Sequence, residues 1–585
     1  MQAPLQQPRT PASAISPSEV RYNNGISWIP TGEELNQLFE QRLAHFRQAL
    51  DDFLTGHMDV DTFRRIRLAL GVYYQNPEVS YMSRIKIPAG YMTYDQVQAL
   101  ADVGDWYARG LPHISTRQNI QYHYVPVDKL PHLFEHLWTA GIETIGASSD
   151  GARNVTADPY GGVDPTEVLD PTPYALMINA FYRFHAYNLK LPRKYKIAVS
   201  GGATDRAQVA INCLGFLARE EAGIKGFDVY VGGGLGAMPF PAVNVGWIAA
   251  TDILLAADAI MRLYHDHGER KNRKKARIKM VVQRLGRDKF VELYQQYYRE
   301  TEQRAGSELR AKAEHWLATE WKPTHPALPA DAKRDALVDA EAFARWKARN
   351  TMAQKQKGYY AASIKLDMGD LTTDQFRSLA EIARIYGNAV VRATDLQKLV
   401  LAYIPEAVLP AVYQRLVEIK LADAGVGLIS DIVSCPGLDY CTLAVAKSRT
   451  LGESVRTYLR QSGIDEQELG AFNLQMSGCP NACGQHSAAH IGATGMMIKD
   501  AAGVDRPHFS FFVGGRCAGN RTLIAQRVHG RYAEDAGPKV IGDLAVDYLR
   551  NRKPGEDYSD YVTRRGMDHI NALATRYLSA AEAAL

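Results

Sequence analysis

IKIPAGYMTYDQVQALADVGDWYARGLPHISTRQNIQYHYVPVDKLPHLFEHL, residues 85–137, recurs without a gap as IKLDMGDLTTDQFRSLAEIARIYGNAVVRATDLQKLVLAYIPEAVLPAVYQRL, residues 364–416, at a fixed offset of 279. The identities include Ile85/Ile364, Lys86/Lys365, Gly90/Gly369, Thr93/Thr372, Asp95/Asp374, Gln96/Gln375, Tyr107/Tyr386, Gln118/Gln397, Pro126/Pro405 and Pro131/Pro410. Turn-forming Gly and Pro paired at one register point to duplication. The period is far too long for a solenoid, so the two halves are expected to pack about a pseudo-twofold axis.

Each copy reads strand, turn, helix, strand, turn, helix. MSRIKIPAG is a strand ending at a turn, and TYDQVQALADVGDWYARG has helical periodicity with Asp95 near its start. QNIQYHYVPV alternates as a strand, and DKLPHLFEHLWTAG is a helix stopped by Gly141. Such units form an α+β layer with helices on one face.

Beyond the repeat the echo loosens. LISDIVSCPG follows the second copy as TIGASSDGARNV follows the first, FNLQMSGCPNACG stands against YNLKLPRKYKIAV, and FDVYVGGGLGA against FSFFVGGRCAG. This alignment matches the Arg153 loop to the Cys435 loop, and Lys194 and Lys196 to Cys479 and Asn481. A pseudo-twofold would then set the basic residues of one half opposite the thiols of the other. The expected fold class is therefore α+β, an internally duplicated chain with ferredoxin-like half-repeats packed with two α/β domains. The expected divisions are a disordered tail at 1–25, a half-repeat at 75–142, an anion-binding domain at 143–302, a linker at 303–355, the second half-repeat at 356–424 and a cysteine-bearing domain at 425–575.

At 585 residues the chain needs several cores. It is 46% hydrophobic and 23% charged with a net charge of +4, which gives no support to general nucleic-acid binding. The N-terminus has neither a basic n-region nor an apolar h-region, and no run of eighteen apolar residues exists, so a soluble cytoplasmic protein without a membrane partner is expected. VGGGLGAM at 231–238 lacks a full dinucleotide fingerprint.

Six cysteines are no disulfide scaffold. Four of them, Cys435, Cys441, Cys479 and Cys483, form a C-x5-C and a C-x3-C pair punctuated by Pro436, Gly437, Gly478, Pro480 and Gly484. Two short-spaced pairs on separate turns can supply the four thiolates of a [4Fe–4S] cube. A Zn(Cys)4 site and four unrelated buried thiols are the alternatives, though neither pair has the common zinc-ribbon spacing. Cys213, in AINCLGFLA, reads as a packed small hydrophobe, and Cys517 is left unassigned.

SGCPNACGQH resembles the signature of the sirohaem-dependent sulfite/nitrite reductase family, most closely the assimilatory sulfite reductase haemoproteins, over roughly residues 75–570. The resemblance implies sirohaem and a [4Fe–4S] cluster held by Cys435, Cys441, Cys479 and Cys483, with Cys483 also bridging to the sirohaem iron. Sirohaem carries eight carboxylates and the substrate is a small oxyanion, so an almost neutral protein must gather cations locally. SRIKIP, STRQNIQYH, GARNVT and LPRKYK supply them. By resemblance Arg84, Arg153, Lys194 and Lys196 line the anion pocket, and Arg117, Gln121, Arg193, Gln397 and Asn481 meet sirohaem or its surroundings. HGERKNRKKARIKM resembles another basic stretch of the family, which makes Arg277 and Lys279 further expected carboxylate partners, though several of its charges also read as an exposed helical face. Against each stands the reading of a solvated surface charge, which weakens for RKYK because alternate strand positions put Lys194 and Lys196 on one face. His113 stands where some relatives have Arg. Ser148 stands where some have a cysteine cross-linked to tyrosine, so no such link can form here.

The implied function is six-electron assimilatory reduction of sulfite to sulfide. Nitrite reduction to ammonia is the nearest alternative, and a non-catalytic iron–sulfur electron-transfer protein a second. Sulfite-reducing relatives tend to read R-K-x-K where this chain has Arg193–Lys196, and nitrite-reducing ones to end in Asn, so Lys196 favours sulfite. Electrons must come from outside, from a ferredoxin or an NADPH-dependent flavoprotein.

Overall fold

The computed structural model of the chain describes residues 32–75, 80–183, 185–236, 238–321, 339–499 and 503–578. The tail expected at 1–25 and most of the Pro-rich stretch within the expected linker lie outside them. Ahead of the repeat stand two helices the pattern reading did not assign, Gly32–Leu54 and Val60–Ala69, the second capped by the Asp59 carboxylate on the Asp61 and Thr62 amides. The boundary expected at 302/303 falls inside one long helix, Arg287–Thr319.

The first half-repeat is a sheet ordered β1 (Val72–Gln75), β2 (Ser80–Ile85), β5 (Ile120–Pro126), β4 (His113–Ile114). The second is β11 (Thr351–Ala353), β12 (Tyr359–Ile364), β14 (Leu399–Pro405), β13 (Val390–Ala393), closed by β3 (Tyr91–Thr93) from the first half. This exchange obeys the duplication. Arg392 pairs with Tyr91, and the residues 279 positions away from each, His113 and Asp370, form the matching bridge on the other side. Thr93 with Gln96 and Thr372 with Gln375 build identical capping boxes, each satisfying two orphan donors at a helix start. One continuous core, from Ile85 and Leu100 to Ile364 and Leu379, buries the helices of both copies.

The two remaining sheets share one topology. β6 (Ala152–Ala157), β7 (Tyr195–Ser200) and β8 (Leu214–Glu221) are parallel, and β9 (Ile224–Val231) and β10 (Val243–Ala249) then run antiparallel. β15 (Val433–Ser434), β16 (Leu474–Ser477), β17 (Ile491–Lys499), β18 (Asp505–Val513) and β19 (Gln526–Arg527) repeat this pattern of directions.

The structure corrects the register of the loose echo. Gln118 accepts from the Ala157 amide as Gln397 accepts from the Ser434 amide, so Ala157 answers to Ser434 and Asp158 to Cys435. Ser200-Gly201-Gly202 then matches Ser477-Gly478-Cys479, and the left-handed Gln208 and Gln485 precede matching 3-10 turns. The Arg153 loop is therefore not the counterpart of the Cys435 loop, nor are Lys194 and Lys196 those of Cys479 and Asn481. The error came from aligning charge with thiol, whereas strand pairing and buried amide contacts set the register.

Candidate active site

Adjacent parallel strands β15 and β16 end side by side, and Cys435 and Cys479 follow their carboxyl ends, the position where open α/β sheets gather ligands. The turns are tight. A Cβ on Gly484 would sit 1.9 Å from the Met476 carbonyl oxygen, and one on Gly478 2.8 Å from that of Ala446. Backbone amides aim at sulfur: Gly478 donates to Cys435 Sγ at 3.1 Å, Leu443 and Ala444 donate to Cys441, and Asn481 to Cys479. Burial pushes the Cys435 thiol up to about 12, and raises those of Cys441 and Cys479. Cys435, Cys441 and Cys479 each feel the charge of Cys483. Grouped thiols that burial keeps neutral need metal charge to become thiolates. Among the described residues no set of three or more His, Cys, Asp or Glu converges on a single ion. A cube, which holds each thiolate on a separate iron, does not ask for that.

Cys483, exposed while Cys435 and Cys479 are buried, faces the first half. Thr116 Oγ1 donates to its carbonyl at 2.6 Å, and the Gln485 amide returns to the Thr116 carbonyl at 3.1 Å. Lys194 and Lys196 both feel the Cys483 charge. Tyr195 and Ile197 are buried between partly exposed Lys194 and Lys196, as the alternation required. Burial, then Arg277, then also Arg153 and Arg193 push Lys194 down to about 8. Burial, then Lys194, Arg117 and Arg277 hold Lys196 well below an ordinary ammonium. Arg153, pushed down to about 10 chiefly by burial, donates to the Gly146 carbonyl at 3.4 Å and feels Arg84. Arg84 lies over the Tyr73 ring with its guanidinium carbon 5.0 Å from the centroid.

Several residues expected at the cofactor also hold protein partners. Arg117 spends its terminal nitrogens on Asn212 Oδ1 at 2.5 Å and on the Asn154 and Ile197 carbonyls at 2.7 and 3.0 Å, so it clamps β6 to β7. Gln397 donates to Ile114 O and accepts from the Ser434 amide, joining the halves. Asn481 serves the Cys479 sulfur. Arg193 pairs with Asp150 at 3.1 Å. Lys279 donates to the Gly234, Leu235 and Met238 carbonyls, which explains the shape of the VGGGLG loop. Arg277 donates to Cys213 Sγ at 3.2 Å, so Cys213 is a polar partner and not simply a packed hydrophobe. His113 is buried against Asp370 at 2.6 Å, part of the exchange between halves. Gln121 sits opposite Arg84 on β2 and His113 on β4. Ser148 bonds to the Leu68 carbonyl and the Tyr73 hydroxyl.

Tyr73 and Asp395 escaped the sequence reading. Burial raises the Tyr73 phenol, but Arg84 and then Arg153 outweigh it and hold the group below its ordinary value. Asp395 is buried with Oδ1 unpartnered and is pushed up to about 8, chiefly by burial against the pull of Arg117 and Lys196. Tyr73 precedes the repeat, and Asp395 stands where the first copy has Thr116, so neither carried a signal.

The duplicated ferredoxin-like sheets and the thiol cluster facing a cationic wall define a redox protein built around an iron–sulfur group. The profile described as the nitrite/sulfite reductase ferredoxin-like half domain matches residues 74–138 and 352–419, and that described as the nitrite and sulphite reductase 4Fe-4S domain matches residues 148–301. The chain belongs to the nitrite and sulphite reductase family and is an oxidoreductase whose cofactors are sirohaem and a [4Fe–4S] cluster. The 4Fe-4S profile covers the half without the four cysteines, which lie in the copy of the same topology. A ferredoxin–nitrite reductase of Synechococcus elongatus is 28% identical over 80% of this chain and 86% of its own. A ferredoxin-named sulfite reductase of Mycobacterium tuberculosis is 27% identical over 84% and 83%. The structure of the Mycobacterium tuberculosis NirA protein shares the fold, with a TM-score of 0.72 and 24% identity over 88% of this chain and 92% of that one. No helix among the described residues is long and apolar enough to cross a membrane.

The residues present fit these cofactors. The Nε atoms of Arg84, Arg117 and Arg277 are buried without partners, and Lys194 and Lys196 feel Arg117, Arg153, Arg193 and Arg277 against Cys483 and an Asp395 that burial pushes toward its neutral form. A polycarboxylate macrocycle and an oxyanion supply the missing negative charge. When bound, sirohaem and the cluster supply electrons to a ligand on iron.

Proposed function

We propose that the chain reduces sulfite to sulfide in the assimilatory direction, with ferredoxin as donor, and that nitrite is the competing substrate. Cys435, Cys441, Cys479 and Cys483 hold the cube, with Cys483 shared with the sirohaem iron. Arg84, Arg153, Lys194 and Lys196 receive the anion, and Arg277 lies toward the macrocycle's carboxylates. Arg117, Gln397 and Asn481 position strands and loops around them, and Gln121 supports Arg84 from across the sheet.

The observation that carries the substrate choice is the placement of Lys196 beside Lys194, where Arg117 and Arg277 add positive charge and the Asp395 carboxyl is itself pushed up toward its neutral form. Each converging ion pair at 4 Å contributes roughly 4 kcal/mol at an effective dielectric of 20, before desolvation is subtracted. Deprotonated sulfite is a dianion and gains more from a second ammonium than monoanionic nitrite does. Both named relatives are ferredoxin-linked, which supports that donor over a flavoprotein, and they divide between the two anions.

Steady-state assays of both anions with one artificial donor test the reading. A higher kcat/KM for sulfite is expected, with Lys196→Asn moving the ratio toward nitrite. A native preference for nitrite, or an unchanged ratio in the variant, overturns it.

A further inference from the structure

Lys86 is named by the repeat but has no part in the anion wall. It is 7% exposed, and it lines a narrow open cleft on the side of the sheet occupied by helix Thr172–Arg183. Tyr91, Gln96, Ile142, Glu143, Asn179 and Arg183 line the same cleft, which opens to solvent. Its polar inventory is lopsided. Glu143 is claimed by Arg183 and by Arg42, the latter at 2.6 Å, so it is no free acceptor for Lys86. Asn179 Oδ1 is buried without a partner, a position suited to an ordered water.

On its other side Lys86 approaches the active site. A Cβ on Gly146 would lie 3.9 Å from Lys86 Nζ, and the Gly146 carbonyl accepts from Arg153. The ammonium thus has the open cleft on one side and the residue whose carbonyl accepts from Arg153 on the other. The charged groups facing it are Arg183 from the helix and Arg153 from β6, both cationic, with Glu143 already neutralised by two arginines.

We propose that Lys86 is the proton-entry residue of the active site, passing protons from water in the cleft to water beside Arg153 in the anion pocket. The demand is large, since sulfite takes up six electrons and eight protons to leave as hydrogen sulfide and three waters. In each cycle an N–H bond of the Lys86 ammonium breaks, and its proton moves through pocket water to an oxygen of the bound anion. The neutral amine then takes a proton from cleft water, restoring the ammonium with no change in electron count. Burial, and then Arg183 and Arg153, push the Lys86 ammonium down to about 7, where donor and acceptor forms coexist at neutral pH. Lys86 is not among the groups expected to hold the anion, so it governs turnover and not binding.

The inference rests on the anion-reducing reading of the pocket, and the experiment separates the two. In the holoenzyme, Lys86→Met is expected to lower kcat at least about 10-fold with either anion while changing KM less than about 2-fold, within the range of a lost proton-transfer group. The solvent deuterium isotope effect on kcat is expected to rise, and the limb of the kcat profile near pH 7 to disappear. Lys86→Arg keeps the charge but holds its proton, so it is expected to be as slow as Lys86→Met; restored turnover in Lys86→Arg would mean a purely electrostatic role and overturn the proposal. So would unchanged kcat in Lys86→Met. Independently of turnover, a small acetylating reagent applied to the native holoenzyme and mapped by peptide mass is expected to modify Lys86 with a midpoint near pH 7. No modification at pH 9, or protection by added inorganic phosphate marking an anion site in the cleft, overturns the relay whichever anion the enzyme reduces.

Discussion

Arg206 occupies in the first half the place that Cys483 occupies in the second. Once the sheets are superposed through their glutamine contacts, Asp158, Asp164, Gly202 and Arg206 stand at the positions of Cys435, Cys441, Cys479 and Cys483, all at one offset of 277. Arg206 pairs with Asp158 at 3.4 Å and with Asp164, both carboxylates being 5% exposed. The loops proposed to grip a cluster on one side of the pseudo-twofold thus have counterparts pinned by an ion triad on the other. Asp158-Pro159 even preserves the proline of Cys435-Pro436.

If the triad is the first half's substitute for a cluster, breaking it leaves two buried carboxylates uncompensated. Arg206→Leu is expected to cost about 3 kcal/mol, the scale of removing one partner from a buried pair. Adding Asp158→Asn and Asp164→Asn should recover part of the loss. Thermal denaturation of the three proteins at equal cofactor content checks this: an unshifted Arg206→Leu transition would show that the loops are held by other contacts.

The half-repeats were legible because their signals are local. Thr93 and Gln96 announce a capping box that recurs 279 residues on, and Gly141 announces a helix stop whose left-handed backbone recurs at Lys420. The thiols were legible because few chemistries need two such pairs. What the pattern could not reveal was commitment. Arg117, Arg193 and Gln397 also meet a carbonyl, a carboxylate and an amide brought in from distant segments, and Asn481 meets the sulfur two residues before it. The charge of Lys196 was visible in sequence, but its depressed affinity for protons depends on burial and, besides Lys194, on Arg117 and Arg277 from two other segments.

That depression sets a pH window for Lys194. Its proton leaves near pH 8 in the folded protein and near 10.5 in the unfolded chain, so folding stability rises with pH across that interval as the unfolded state binds more protons. Anion capture runs the other way, because the pocket loses positive charge as pH passes about 8. kcat/KM for the anion, which reports groups of the free enzyme, is expected to fall on that alkaline limb. Lys194→Arg, always charged, should extend the plateau. A native profile flat to pH 9.5 would contradict the assignment.

Thr116 ties the catalytic loop to the opposite half through its bond to the Cys483 carbonyl. Thr116→Val keeps the shape and leaves that acceptor unsatisfied, a loss of about 1–3 kcal/mol where the group is buried. The expected result is several-fold faster bleaching of the cluster by a chelator with little change in KM for the anion. Equal bleaching rates in variant and native protein would reduce the contact to a passive one.

Of the four cysteines proposed to hold the cluster, Cys483 is exposed and feels Lys194 and Lys196, while Cys435 and Cys479 are buried against strand ends. A sulfur so placed is suited to serve two metal centres at once. Replacing it with serine leaves Cys435, Cys441 and Cys479 with their backbone donors intact, so a cube can still be held on three thiolates, and the surrounding turn does not depend on the Cys483 side chain for a hydrogen bond. Cys483→Ser is therefore expected to fold, to retain iron, and to lose the magnetic coupling between cluster and haem iron. Turnover should fall by more than about 100-fold, beyond the 10–100-fold typical when only an outer partner of a metal ligand is changed. Mössbauer and EPR spectra of the reduced variant beside the native protein decide the matter. Coupled spectra together with native turnover would mean that another residue links the two centres, whereas an uncoupled cluster with normal sirohaem content places the link at Cys483.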